Sequence, residues 1–274
     1  MSHFPVAVFT LNGINDIDDL LAPYDERIVV EPYVRYTKEQ LIKKEREFFQ
    51  FVYDTSYTLW RANTQKYEAS ARNPEHIKFL ETLPDLLKQT DEQFYQNAIE
   101  DYGADSIDPD GGVLSQYNPK SKWDWYITGG RWIGMLILKP GCKGERGEPG
   151  LQCRASENYD SALVADVDFE KMRLLNLSDL QPYDSAMASG MFTDAYNRTR
   201  FPTEEEYIAR ATSFYTYAVI TPNGEWHAPG EMGWWAVSSE TPDEERDWQL
   251  NYHERFIKPA IEKGWHITIV DCHI

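Results

Sequence analysis

Residues 117–132 constrain this chain more than any other stretch. Three Trp, two Tyr, a Gly pair, two Lys, one Arg and one Asp fall within sixteen positions. Rings at that density need a core or a ligand to cover them, because exposed aromatics forfeit the free energy of burial. The run therefore predicts a central segment of the fold. If extended, Trp123-Asp124-Trp125 sends both indoles to one side and the Asp124 carboxylate to the other. Gly129-Gly130 lets backbone amides approach a ligand closely, and Arg131 offers a bidentate guanidinium. With Lys120 and Lys122 this is the one local basic and aromatic cluster of the chain, suited to a nucleotide-like ligand. The candidate ligand-binding residues are Lys122, Trp123, Trp125, Tyr126, Gly129, Gly130 and Arg131. The competing reading is an aromatic core with a strand-connecting turn.

Strand and helix signals alternate along the rest of the chain. Residues 4–10 read as an opening strand, 16–22 as a short helix ended by Pro23, and 27–36 as extended. Thr37 and Gln40 form a capping box that starts a helix to about Ser70. Asn73-Pro74 restarts a helix, which Pro84 interrupts, and Thr90 with Gln93 starts another. Residues 37–102 thus read as a mainly helical insertion within a single domain spanning 1–274. A buried strand over 132–139, a mobile Gly-rich loop over 140–153 and a strand over 161–167 follow. Thr203 caps a short helix before a strand over 212–220, and Pro222-Asn-Gly224 is a hairpin turn. Thr241 and Glu244, with Pro242 at the first helical position, open a helix to about Lys263. A terminal strand over 265–274 closes the chain. The fold class is α+β: a mixed or antiparallel central sheet, a helical insertion and a late C-terminal helix.

The closing strand carries the chemistry candidates. Alternation puts Ile267, Ile269, Asp271 and His273 on one face, and His266, Thr268, Val270 and Cys272 on the other. Asp271 and His273 can then orient a general base, ligate a metal with further groups, or pin the chain end through a hydrogen bond. The catalytic candidates are Asp124, Asp271 and His273. Cys142, Cys153 and Cys272 match no standard zinc spacing, and Asp105, Asp108 and Asp110 lack the distal Glu of a calcium loop. The sequence predicts no metal centre. It has no phosphate-loop or dinucleotide fingerprint and no nucleophile elbow, and it predicts no cofactor.

The chain carries 45 acidic against 27 basic residues, a net charge of −18. A field of that sign repels polyanions, so direct non-specific nucleic-acid binding is disfavoured, and it attracts basic protein surfaces. No apolar run approaches the ~20 residues of a membrane span, so no membrane partner is expected. The opening residues lack a basic n-region, and three Cys suit a reducing compartment, which together predict a cytoplasmic protein.

Several blocks resemble a family of uncharacterised proteins of bacteriophages and mobile elements. They are Ala22-Pro-Tyr-Asp-Glu26, Glu31-Pro-Tyr33, Tyr36-Thr-Lys-Glu39, Asn118-Pro119 with Lys122-Trp-Asp-Trp-Tyr126, and Gly129-Gly-Arg-Trp132. Gly230-Glu-Met-Gly-Trp-Trp235 and Val270-Asp-Cys-His273 complete the pattern. The resemblance carries no assigned reaction. It implies a phage or mobile-element accessory protein, for which interference with host defence is a common role. The expected function is an accessory binding protein acting on a host defence or nucleic-acid-handling component. It would act through its acidic surface, on a host protein with a basic face, or through a pocket for a small nucleotide-like ligand. The alternative is a hydrolase or nucleotide-modifying enzyme using Asp124, Arg131, Asp271 and His273.

Overall fold

The computed structural model describes residues 2–11, 13–70, 73–189, 193–233 and 237–274. Its strands are β1 (His3–Thr10), β2 (Val29–Tyr36), β3 (Val113–Tyr117), β4 (Trp125–Gly130), β5 (Gly144–Glu145), β6 (Glu148–Pro149), β7 (Ser161–Leu163), β8 (Ala218–Ile220), β9 (Trp226–His227) and β10 (His266–His273). The chain divides into two compact units. One joins the segment up to Ile28 with Asn118–Ile274; the other is Val29–Tyr117.

The first unit is built on a mixed sheet ordered β5-β7-β10-β1-β8-β9, with β4 on β10 and β6 on β4. β1 and β10 pair antiparallel along their full lengths, His3 opposite His273 and Thr10 opposite His266. The other edge of β10 is shared: β7 takes its first half and β4 its second, with His273 opposite Trp125 and Asp271 opposite Ile127. β8 joins β1 in parallel. Core clusters cover both faces of β10, and it is buried throughout except at its two end residues.

On one face Ala7, Phe9, Ile267, Ile269 and Val219 pack against Trp248, Tyr252, Phe256 and Ile257. These last four come from a helical run over 242–263: Pro242–Tyr252, a π-helical turn His253–Ile257, and Lys258–Lys263. Thr241 and Glu244 form its capping box, and Gly264 ends it in the left-handed region at φ +67°. The predicted late helix is present with its predicted start and end. On the opposite face Phe4, Val6, Val8, Val270, Cys272, Ala218 and Ile220 meet Ile17, Leu21 and Trp123.

In the second unit β2 and β3 form an antiparallel pair. Between them lie helices Lys38–Val52, Thr58–Ala62, Thr64–Ser70, Pro74–Leu86 and Asp91–Ile99. Phe49, Val52, Trp60, Leu80, Leu83 and Phe94 form their core. The capping boxes at Thr37 and Thr90 and the Asn73 cap are all formed. Two expectations need correction. The first helix does not run unbroken to Ser70, because Asn63 leaves helical geometry. Pro84 does not interrupt its helix, which continues to Leu86. Buried Leu80 and Leu83 hold that last turn in the core, and this offsets the one backbone hydrogen bond that proline removes.

Residues 132–139 are not a strand. Trp132 closes a turn onto Gly129, and only isolated bridges follow, Leu136 to Tyr159 and Leu138 to Val167. The Gly-rich segment, expected to be a mobile loop, lies bonded along the sheet through β5 and β6. Gly144, Gly147 and Gly150 have a steric reason. A Cβ on Gly147 would stand 2.2 Å from the Thr128 carbonyl oxygen, so only glycine allows the backbone that close. The strands expected over 161–167 and 212–220 are shorter, as β7 and β8. Trp234 and Trp235 lie outside the described residues. Among those residues no helix is long and apolar enough to cross a membrane.

Candidate functional site

Register places the chemistry at one end of the β1–β10–β4 surface. His3 and Pro5 face the same way as Ala7 and Phe9, and Asp271 and His273 the same way as Ile267 and Ile269. That face is apolar core over half its length and polar over the remainder. Trp125 and Ile127 continue it on β4.

Two carboxylate–imidazole pairs occupy the polar end. Asp271, only 1% exposed, accepts from His3 Nδ1 at 2.9 Å through Oδ1 and from the Arg131 backbone N–H at 2.9 Å through Oδ2. Asp124 Oδ1 accepts from His273 Nδ1 at 2.6 Å. An ionised carboxylate only accepts, so each pair fixes its imidazole with Nδ1 protonated and Nε2 turned to other work. Among the described residues neither Nε2 has a hydrogen-bond partner. The two rings lie edge to face at 4.8 Å between centroids, and the exposed Trp125 indole lies 6.1 Å from His3 and 6.5 Å from His273.

Asp271 and His273 do share a face, as alternation predicts, but they do not pair with each other. Asp271 turns to His3 across the strand pair, and His273 turns to Asp124. The predicted split of Trp123 and Trp125 from Asp124 also needs correction. The strand begins only at Trp125, so alternation does not extend back through Asp124. Trp123 is buried on the opposite face, where its indole N–H donates to the Leu21 carbonyl at 3.1 Å. Asp124 instead stands with Trp125 at the histidines.

The ligand-binding candidates separate accordingly. Tyr126 lies on the Trp123 side, its hydroxyl bonded to Asp18, and burial pushes its phenol upward. Lys122 pairs with Glu231 at 3.1 Å. Gly129 and Gly130 are buried. Gly130 has φ +57°, and a Cβ there would stand 2.4 Å from Asp271 Oδ2, so its bare backbone is what lets Asp271 reach the Arg131 amide. Arg131 is exposed, and its guanidinium has no partner among the described residues. Cys272 is sealed on the opposite face, where burial raises its thiol well above the usual range. Cys142 and Cys153 are free thiols. Among the described residues no group of three or more His, Cys, Asp or Glu side chains is placed to hold a metal ion. Asp108 accepts from the Asp110 and Gly112 amides, which makes its segment an ordinary Asx turn.

Sequence reading missed His3 and Asp160. His3 has a usable signal: it keeps the same parity as Pro5, Ala7 and Phe9, and pairing the two terminal strands brings it beside Asp271. Asp160 had none. Fully buried, it accepts from Gly134 N at 2.6 Å and Gly147 N at 2.8 Å, tying the turn after β4 to the Gly-rich segment. Burial raises its carboxyl above the ordinary range, against the pull of the Gly147, Gly134 and Met135 amides. Asp160→Ala leaves two amides unbonded and is expected to cost about 2–4 kcal/mol. With the folded value raised, the native protein takes up this proton before the unfolded chain does. Its contribution is full below the unfolded pKa and declines as pH rises through the folded one. The deficit of the variant in urea melts should therefore be larger in acid than at neutral pH. A constant deficit would contradict this account.

In comparison with known proteins, no family model, curated protein or solved structure matches this chain.

Proposed function

We propose that the His3–His273 pair is a general acid–base centre that hydrolyses a small phosphodiester. The observation that supports this reading most strongly is the double arrangement of Asp271–His3 and Asp124–His273, with both Nε2 atoms free and the rings adjacent. One neutral imidazole takes a proton from water as its oxygen bonds to phosphorus. The other, as imidazolium, gives its proton to the leaving oxygen as the ester P–O bond breaks. After turnover the proton returns from the first ring to the second, directly or through solvent. The unpaired Arg131 guanidinium suits an anionic phosphoryl group, and the exposed Trp125 indole offers a stacking surface. A chain of net charge −18 disfavours long polyanions, which points to a small substrate.

The test uses bis(p-nitrophenyl) phosphate, followed by release of p-nitrophenolate. His3→Asn and His273→Asn keep a side-chain donor for each carboxylate but remove the base. Each should lower kcat/KM by about 100-fold or more. The wild-type rate should follow a bell in pH, with one limb lost in each variant. Equal rates in wild type and both variants would end this reading.

A second reading rests on the block resemblance and the charge: a phage-type accessory protein in the host cytoplasm, whose acidic surface meets a basic host component. It predicts capture of one host protein that weakens steeply with added salt, as exposed charge pairs do. Capture insensitive to salt would remove it.

A further inference from the structure

Beside the histidines, Pro5 of β1 lies roughly 6–7 Å along the strand from His3 on the same face. It forms part of the wall of a cavity of about 450 Å³. Trp132, one residue after the Arg131 amide that holds Asp271, forms another part, with Phe214, Tyr215, Met135, Ile137, Met172 and Leu175. A space of this size falls within the ~300–1,000 Å³ typical of small-molecule sites. Two carboxamides also line it: Asn158, half-buried, and Asn176 at the rim, on helix Phe169–Asp179. Neither carboxamide has a hydrogen-bond partner among the described residues.

That lining discriminates between ligands. A purely aliphatic group would fill the apolar walls but leave the half-buried Asn158 carboxamide unbonded, which disfavours it. A sugar would meet the amides but forgo the ring faces. A flat heterocycle with donors and acceptors on its edge satisfies both, because a carboxamide presents an acceptor and donors side by side. We infer that this cavity holds the nucleobase of a small nucleotide phosphodiester whose phosphorus sits at the His3–His273 pair. The inference rests on the acid–base reading for its chemistry and on the cavity for its specificity. It assigns Asn158 and Asn176 to base recognition, Trp132, Phe214 and Tyr215 to contact with the ring, and Arg131 to the phosphate.

The two parts are tested separately. Calorimetric titrations compare adenosine, guanosine, cytidine and uridine 5′-monophosphates with ribose 5-phosphate, which carries the same phosphate and sugar without a base. At least one nucleotide is expected to bind about 10-fold or more tighter than ribose 5-phosphate. Asn158→Leu and Asn176→Leu, close in volume, should each bring that ratio down by about 5-fold or more. Equal binding of all five ligands by the wild-type protein would overturn the inference, whatever the variants do. Hydrolysis of bis(p-nitrophenyl) phosphate reports on the histidines alone. Base preference without histidine-dependent hydrolysis would support the nucleobase site and end the acid–base reading. Hydrolysis without base preference would do the reverse.

Discussion

Arg210→Ala is expected to lower stability by about 3–5 kcal/mol, read as a shift in the urea midpoint at unchanged slope. Arg210 is 1% exposed on helix Glu204–Thr212, and its whole head group is engaged. Nε donates to Gln249 Oε1 at 2.7 Å, and Nη1 donates to the Arg200 carbonyl at 2.6 Å and Glu206 at 3.3 Å. Nη2 stands 3.3 Å from Glu245 as an ion pair, without hydrogen-bond alignment. The guanidinium also lies over the Phe201 ring at 4.4 Å. Glu206 keeps Arg246 and Glu245 keeps Arg200. The loss therefore comes from the unfilled volume and the unbonded Gln249 and carbonyl groups, as much as from charge. Phe214 and Tyr215, which wall the cavity, follow this helix directly. Nucleotide binding should weaken along with stability. A loss below about 1 kcal/mol would mean the network contributes nothing net.

Gly130→Ala is expected to cost about 3 kcal/mol or more and to abolish hydrolysis of bis(p-nitrophenyl) phosphate. A left-handed backbone alone costs a residue with a Cβ about 1–2 kcal/mol. The larger part is the collision with Asp271. To make room, Asp271 must give up His3 or the Arg131 amide, leaving a buried carboxylate short of partners. Gly141→Ala separates the two contributions, since Gly141 has φ +83° with no atom within 4 Å of a Cβ. That variant should lose about 1–2 kcal/mol and keep its rate. Should Gly130→Ala behave like Gly141→Ala, Asp271 does not press against the Gly130 backbone.

The Gly130 effect and the orientation of the two histidines share one origin. β10 lies in the middle of the sheet, so groups on its polar end can be bonded from the strands on either side. Asp271 is held from both sides, by His3 on β1 and by the turn after β4. His273 is held by the residue just before β4. Both imidazoles are therefore oriented by carboxylates from other parts of the chain, which is the arrangement acid–base chemistry requires.

Much of the fold was legible along the chain. Thr37 with Gln40, Asn73 with Pro74, Thr90 with Gln93 and Thr241 with Glu244 announce helix starts through bonds made within four residues, and local bonds can be read locally. The terminal strands declare themselves by apolar content and alternation, and alternation alone puts Asp271 and His273 on one face. Tertiary structure decided what each group touches. His3 and Asp271 are 268 positions apart, and His273 and Asp124 are 149 apart. Those meetings depend on strand order and register, which no local pattern encodes. Trp123 and Trp125 differ by two positions, yet one is sealed in the core and the other stands open beside the imidazoles, because the strand starts between them.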